Sequence, residues 1–164
     1  MLAPRLLEGL RILVVEDNLL LAEATRLLLE DSGCEVVGPA GRLPRGLKLA
    51  RDEAIAIDGA ILDINLHGEM SFPIAEVLTS RGVPFVFVTG YDDRSIVPMA
   101  FRSAPRLDKP ATEEQLLEVM IATFIDKRPK SDPQADMILS AGHAAGERSL
   151  RAGEGAARGT RIRR

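Results

Sequence analysis

Three short apolar stretches in this chain each stop on a polar or charged side chain, a fourth brief segment ends the same way, and that repetition narrows the available folds more than any other feature. Ile12-Leu13-Val14-Val15 runs into Glu16-Asp17, Ala60-Ile61-Leu62 into Asp63, and Pro84-Phe85-Val86-Phe87-Val88 into Thr89, while Arg106-Leu107-Asp108 leads to Lys109. A strand that is apolar at successive positions is covered on both faces, as in a parallel sheet flanked by helices. Open sheets of that kind place their ligands beyond the carboxyl ends of the strands. Each polar residue falls there.

The intervening segments carry helical spacing. Leu19, Leu20, Ala22, Ala24, Leu27 and Leu28 predict a helix running to Glu30, with Gly33 as its terminator. A second strand follows at 35–38, and Leu47, Leu49 and Ala50 predict a second helix ending near Glu53. Residues 72–81 read as a helix with Pro73 in its first turn, where a missing amide donor is harmless. Residues 92–102 are weakly helical and interrupted by Pro98, which predicts a short, mobile element. After a brief fifth strand at 105–108, Thr112 caps a last helix with Leu116, Leu117, Val119, Met120 and Phe124 at core spacing. Glu113 and Glu114 suit the positive N-terminus of that helix. Five strands alternating with five helices imply right-handed crossovers. The expected fold is α/β: a flavodoxin-like, doubly wound five-stranded parallel sheet, order 2-1-3-4-5, with helices on both faces. Strands one and three are then neighbours, and Asp17 lies beside Asp63.

Charge divides the chain. Residues 1–126 hold 12 Lys/Arg against 20 Asp/Glu, net −8, whereas residues 127–164 hold 9 against 4, net +5. The expected organisation is a loose leader at 1–9, a folded domain at 10–126 and a disordered basic tail at 127–164, which has no periodic apolar face. That tail lacks interleaved aromatics and a recognition helix, so direct DNA binding is not expected. No apolar run approaches the about 18 residues of a membrane span, and Arg5, Glu8 and Arg11 break up any signal-peptide core. Cys34 is the only cysteine, which excludes an internal disulfide and fits a small buried residue in a reducing cytoplasm.

Three carboxylates from neighbouring strand ends repel one another unless a cation neutralises them. A hard divalent ion such as Mg²⁺, held by one or two carboxylates with water and phosphate oxygens, meets that need. Thr89 adds a hydroxyl donor and Lys109 a point charge suited to phosphate. One carboxylate can then attack phosphorus to form an aspartyl phosphate. Singly, Asp63 reads as a cap or turn residue; the functional reading comes from the set.

Glu16-Asp17-Asn18, Asp63, Thr89 and Lys109-Pro110, in this order and on these strand ends, resemble the receiver domain of two-component response regulators across about residues 10–126. Asn65-Leu66-His67-Gly68-Glu69 and Phe87-Val88-Thr89-Gly90-Tyr91 more narrowly resemble single-domain regulators of the alphaproteobacterial Phe-x-Thr-Gly-Tyr type. The resemblance implies that Asp63 accepts a phosphoryl group from a histidine kinase or a histidine phosphotransfer protein. It implies that Glu16, Asp17, Asp63 and the Asn65 carbonyl hold Mg²⁺, and that Thr89 and Lys109 contact the phosphoryl oxygens. The chain is then a stand-alone, cytoplasmic regulator without enzymatic turnover beyond its own phosphorylation and dephosphorylation. It signals to an unknown downstream protein or passes phosphate along a relay. Two positions depart from the family pattern: Arg106 replaces the usual aromatic three residues before the Lys, and His67 stands where many receivers have Pro. Tyr91 is the switch candidate in place of the missing aromatic, and the loop after Asp63 is expected to be mobile. The competing classes are a metal-dependent phosphohydrolase with an aspartyl nucleophile and a pseudo-receiver that binds without phosphorylation. The absence of an Asp-x-Asp pair after the first strand weighs against the first, and the complete acidic set against the second.

Overall fold

The computed structural model describes residues 6–90 and 94–126. Tyr91, residues 1–5 and the expected tail at 127–164 lie outside the described residues. Five strands form one parallel sheet: β1 (Arg11–Val15), β2 (Glu35–Ala40), β3 (Gly59–Leu62), β4 (Phe85–Thr89) and β5 (Arg106–Asp108). Their spatial order is β2-β1-β3-β4-β5, the order expected from the alternation of strands and helices. The helices that follow these strands are α1 (Leu19–Asp31), α2 (Leu43–Arg51), α3 (Phe72–Ser80) and α4 (Glu113–Met120), the last continued by a π-helical turn at Ile121–Ile125.

Strand alternation builds two cores from one sheet, because successive side chains point to opposite faces. Leu13, Val15, Ala60, Leu62, Phe85 and Phe87 belong to one apolar cluster, which also takes in Ile74 and Leu78 of α3. Ile12, Val14, Ile61 and Val86 belong to the other, with Leu29 of α1 and Leu116, Met120 and Phe124 of α4 and its extension. Full burial of a Phe or Leu contributes about 1.5–3 kcal/mol. At Gly59 a Cβ would lie 2.9 Å from the Phe124 ring, so the bare backbone is what lets that ring settle on the sheet.

Local chemistry ends the helices. The Asn18 side chain accepts from the amides of Leu20 and Leu21 at the start of α1, and Gly33 beyond its end has φ +82°, open to glycine at little steric cost. Thr112 and Gln115 form a reciprocal capping box on α4.

Three expectations need correction. The fifth α-helix of the alternation is absent among the described residues, although the short element expected at 92–102 is there as 3₁₀ turns at Arg94–Ile96 and Met99–Phe101. Pro98 between them has no amide to continue a helical ladder, and the aromatic anchor Phe101 is buried all the same. The leader is not loose up to Gly9: Leu7 is fully buried, and the Gly9 amide donates to the Gly33 carbonyl at 2.8 Å. The segment after Asp63 is a small antiparallel hairpin, Asn65–Leu66 against Glu69–Met70, whose Leu66 is buried. No helix among the described residues is long and apolar enough to cross a membrane.

Candidate functional site

Register delivers the charged residues to one place. Val15 lies opposite Leu62, so Glu16 and Asp63 leave β1 and β3 side by side. Thr89 lies opposite Asp108 at the ends of β4 and β5, and the next residue, Lys109, turns back over the sheet edge with its amide donating to the Thr89 carbonyl at 2.9 Å. Carboxylate oxygens of Glu16, Asp17 and Asp63 all lie within 4.8 Å of one another. They line an open cleft of about 480 Å³ together with Asn18, Asn65, His67, Gly68, Gly90 and Lys109.

The Lys109 ammonium donates to Glu16 Oε2 at 2.6 Å and to Asp63 Oδ2 at 2.9 Å. Glu16 and Asp63 are only 8% and 7% exposed, so this cation sits where two carboxylates have lost most of their water. Burial raises the Glu16 pKa, and the nearby Asp63 charge adds to the effect; together they outweigh the opposing bonds from Lys109 and the Asn18 amide. Burial acts to lower the Lys109 pKa, but its hydrogen bonds to Glu16 and Asp63 prevail and leave it raised. One ammonium against three carboxylates leaves the cluster short of positive charge.

The donor set fits a hard cation. Three carboxylates within reach of one point, on a cleft open to water, match the oxygen-only, partly hydrated coordination of Mg²⁺ better than that of a thiophilic metal. The remaining groups hold the set in place. The His67 amide donates to Asp17 Oδ2 at 3.0 Å, the Asn65 side chain accepts from the Gly68 amide at 2.6 Å, and the Asn65 amide reaches Asp63 Oδ1 at 3.4 Å.

The sequence reading and the cleft differ in detail. Glu16, Asp17, Asp63, Asn65 and Lys109 are brought together. Thr89 is not among the residues lining the cleft: it is fully buried at the end of β4, and the adjacent Gly90 takes the rim position. His67, which stands where many receivers have Pro, has φ +53° and supports Asp17 through its backbone. Asn18, read only as part of the acidic run, donates its amide to Glu16 Oε1 at 3.0 Å while capping α1. An Asn directly after two acids and ahead of helical periodicity is a signal that could have identified that cap.

No family model matches the chain, and no curated relative matches it. Solved structures do. SdrG from Sphingomonas melonis Fr1 is 41% identical over 70% of this chain and 95% of its own, with a TM-score of 0.59. The BeF3-activated conformation of SdrG from Pseudomonas melonis Fr1 is likewise 41% identical, over 68% of this chain and 93% of its own, with a TM-score of 0.57. A response regulator receiver protein from Sinorhizobium medicae WSM419 shares the fold at 23% identity, covering 75% of this chain and 99% of its own, with a TM-score of 0.64.

Proposed function

This chain belongs to the family of response-regulator receiver domains, and from that premise we propose that it takes part in a two-component phosphorelay in the cytoplasm, accepting a phosphoryl group on Asp63. The observation that carries this reading is the bridge from Lys109 to Asp63 and Glu16 at the mouth of a three-carboxylate cluster. Asp63 is held with one oxygen on an ammonium, and its cleft is open enough for a phosphorylated donor to approach. That SdrG has a BeF3-activated conformation supports the same chemistry here, since the relative is 41% identical.

In the proposed reaction an Asp63 oxygen attacks phosphorus, the bond from phosphorus to the donor's imidazole nitrogen breaks, and the nitrogen leaves with its electron pair. Glu16, Asp17, Asp63 and the Asn65 carbonyl would hold Mg²⁺, which supplies charge neutralisation for the transferring group. Lys109 exchanges one carboxylate partner for a phosphoryl oxygen as the acceptor is esterified. Thr89, buried at the strand end, would contact the phosphoryl group only after a local shift, and such a shift couples phosphorylation to the surface. Donor and recipient are proteins: a histidine kinase or histidine phosphotransfer protein, and a downstream partner. Leu19 and Leu20, at the start of α1 beside the cleft, are 82% and 80% exposed, as befits a surface that another protein covers.

Incubation with Mg²⁺ and acetyl phosphate, followed by mass mapping, tests the reading. Label on Asp63 that is lost in Asp63→Ala supports it. Absence of label with both acetyl phosphate and candidate kinases favours the pseudo-receiver, and turnover of a simple phosphate ester favours the hydrolase.

A further inference from the structure

Helix α2 does not fit its own electrostatics. Arg42, Arg45, Lys48 and Arg51 follow one another at three-residue intervals, all are exposed, and 42–51 contains no acidic residue. Among the described residues none of the four has an ion pair or a side-chain hydrogen bond, although the domain as a whole is acidic. Lys48 and Arg51 at least lie at the C-terminal end of the helix, where the backbone dipole favours cations. Arg42 and Arg45 lie at the N-terminal end, with no side-chain cap and no acid in the first turn, where each cation is disfavoured.

A shallow groove of about 600 Å³ is lined by Leu43, Pro44 and Leu47 together with two of these cations, Lys48 and Arg51, and Asp52. The helix is firmly seated. Gly46 and Ala50 are buried against the sheet side, and the Arg81 guanidinium donates to the carbonyls of Ala50 at 2.6 Å and Ile55 at 2.9 Å. Cations fixed on a rigid helix, bordering an apolar floor, present a pattern complementary to carboxylates that flank apolar side chains.

We propose that the exposed face of α2 docks an acidic, amphipathic segment of a partner protein, with its apolar side chains on Leu43, Pro44 and Leu47 and its carboxylates on Arg45, Lys48 and Arg51. The chain's own 127–164 segment carries a net charge of +5, so taken whole it matches these cations less well than an acidic partner does. Nucleic acid fits less well, since α2 carries no aromatic side chain for base stacking. An anionic membrane fits less well too, because the apolar lining is only Leu43, Pro44 and Leu47, too little surface to insert into lipid. An acidic helix or strand needs only the groove and its charged rim.

The test uses the full chain and a fluorescently labelled synthetic peptide with Leu and Glu at helical spacing, read by anisotropy. Saturable binding should weaken about tenfold in Arg45→Glu/Lys48→Glu, weaken with added salt, and fail with a peptide in which Gln replaces Glu. Thermal unfolding and acetyl phosphate labelling of the double variant show that the domain is intact. Unchanged affinity in that variant would place the binding on the basic 127–164 segment and overturn the proposal. So would the absence of peptide binding, tighter binding of a uridine oligonucleotide or of phosphatidylglycerol vesicles, or a self-association that the double variant abolishes.

Discussion

The domain carries two concentrations of like charge, and they are built in opposite ways. At the strand tips Glu16, Asp17 and Asp63 are drawn together below the surface and partly neutralised by Lys109, which has come from a strand two places from β3 and three from β1. On α2 the cations are local in sequence, exposed and, among the described residues, unpaired. The first cluster is costly because desolvated like charges repel; only long-range packing keeps it together. The second costs little, since water and salt screen it. A buried cluster therefore marks chemistry that needs a preorganised site, and an exposed stripe marks contact whose strength the solvent can tune.

The sharpest break between the two regions is functional. Asp63→Ala should abolish phosphoryl incorporation, measured by mass mapping, whereas Arg45→Glu/Lys48→Glu should leave labelling intact. Next in size is Lys109→Met, which strands Glu16 and Asp63 without their cation; urea unfolding without Mg²⁺ should show a loss of about 1–3 kcal/mol, reduced from the fully buried case because Lys109 retains some water. Adding Mg²⁺ should return part of that loss, and should return none of it if the carboxylates hold no metal.

A smaller effect distinguishes cost from support within the cluster. Glu16→Gln keeps the shape of the side chain and removes a charge whose burial is unfavourable, so metal-free protein at neutral pH should melt a few degrees higher. The raised Glu16 pKa means that the folded chain holds this proton more tightly than the unfolded one, whose reference is 4.5. Wild-type stability from this group is thus fully present below that value and lost as pH rises through the raised one. The Gln advantage should disappear in acid, and an advantage independent of pH would show that charge is not its cause. Smallest is Arg45→Glu, which places an acid in the first turn of α2 and should stabilise the fold by about 0.3–1 kcal/mol in low salt, with the gain fading as salt is added.

Much of the molecule was legible in the sequence. Three apolar runs and two less apolar segments marked five strands, their alternation with helical segments implied the order, and Thr112 and Gly33 marked helix boundaries that the structure shares. Legibility failed where distant contacts overrule local pattern. Leu7 looked like part of a loose leader, yet it packs among Leu10, Leu29 and Cys34 in the α1–α4 core. Phe101 sits in a segment too weakly patterned for a helix, yet it stacks on Phe72 with ring centroids 6.2 Å apart.

Sequence alone determined the alternation of strands with connecting segments and the identities of the charged residues at the strand ends, because periodicity and turn chemistry act over a few residues. Tertiary structure alone decided that Lys109 bridges Glu16 and Asp63, that Thr89 is withdrawn below the cleft while Gly90 lines it, and that the His67 amide reaches Asp17. Those relations join residues up to 93 positions apart, and their distances depend on strand register and on how closely two cores pack against one sheet.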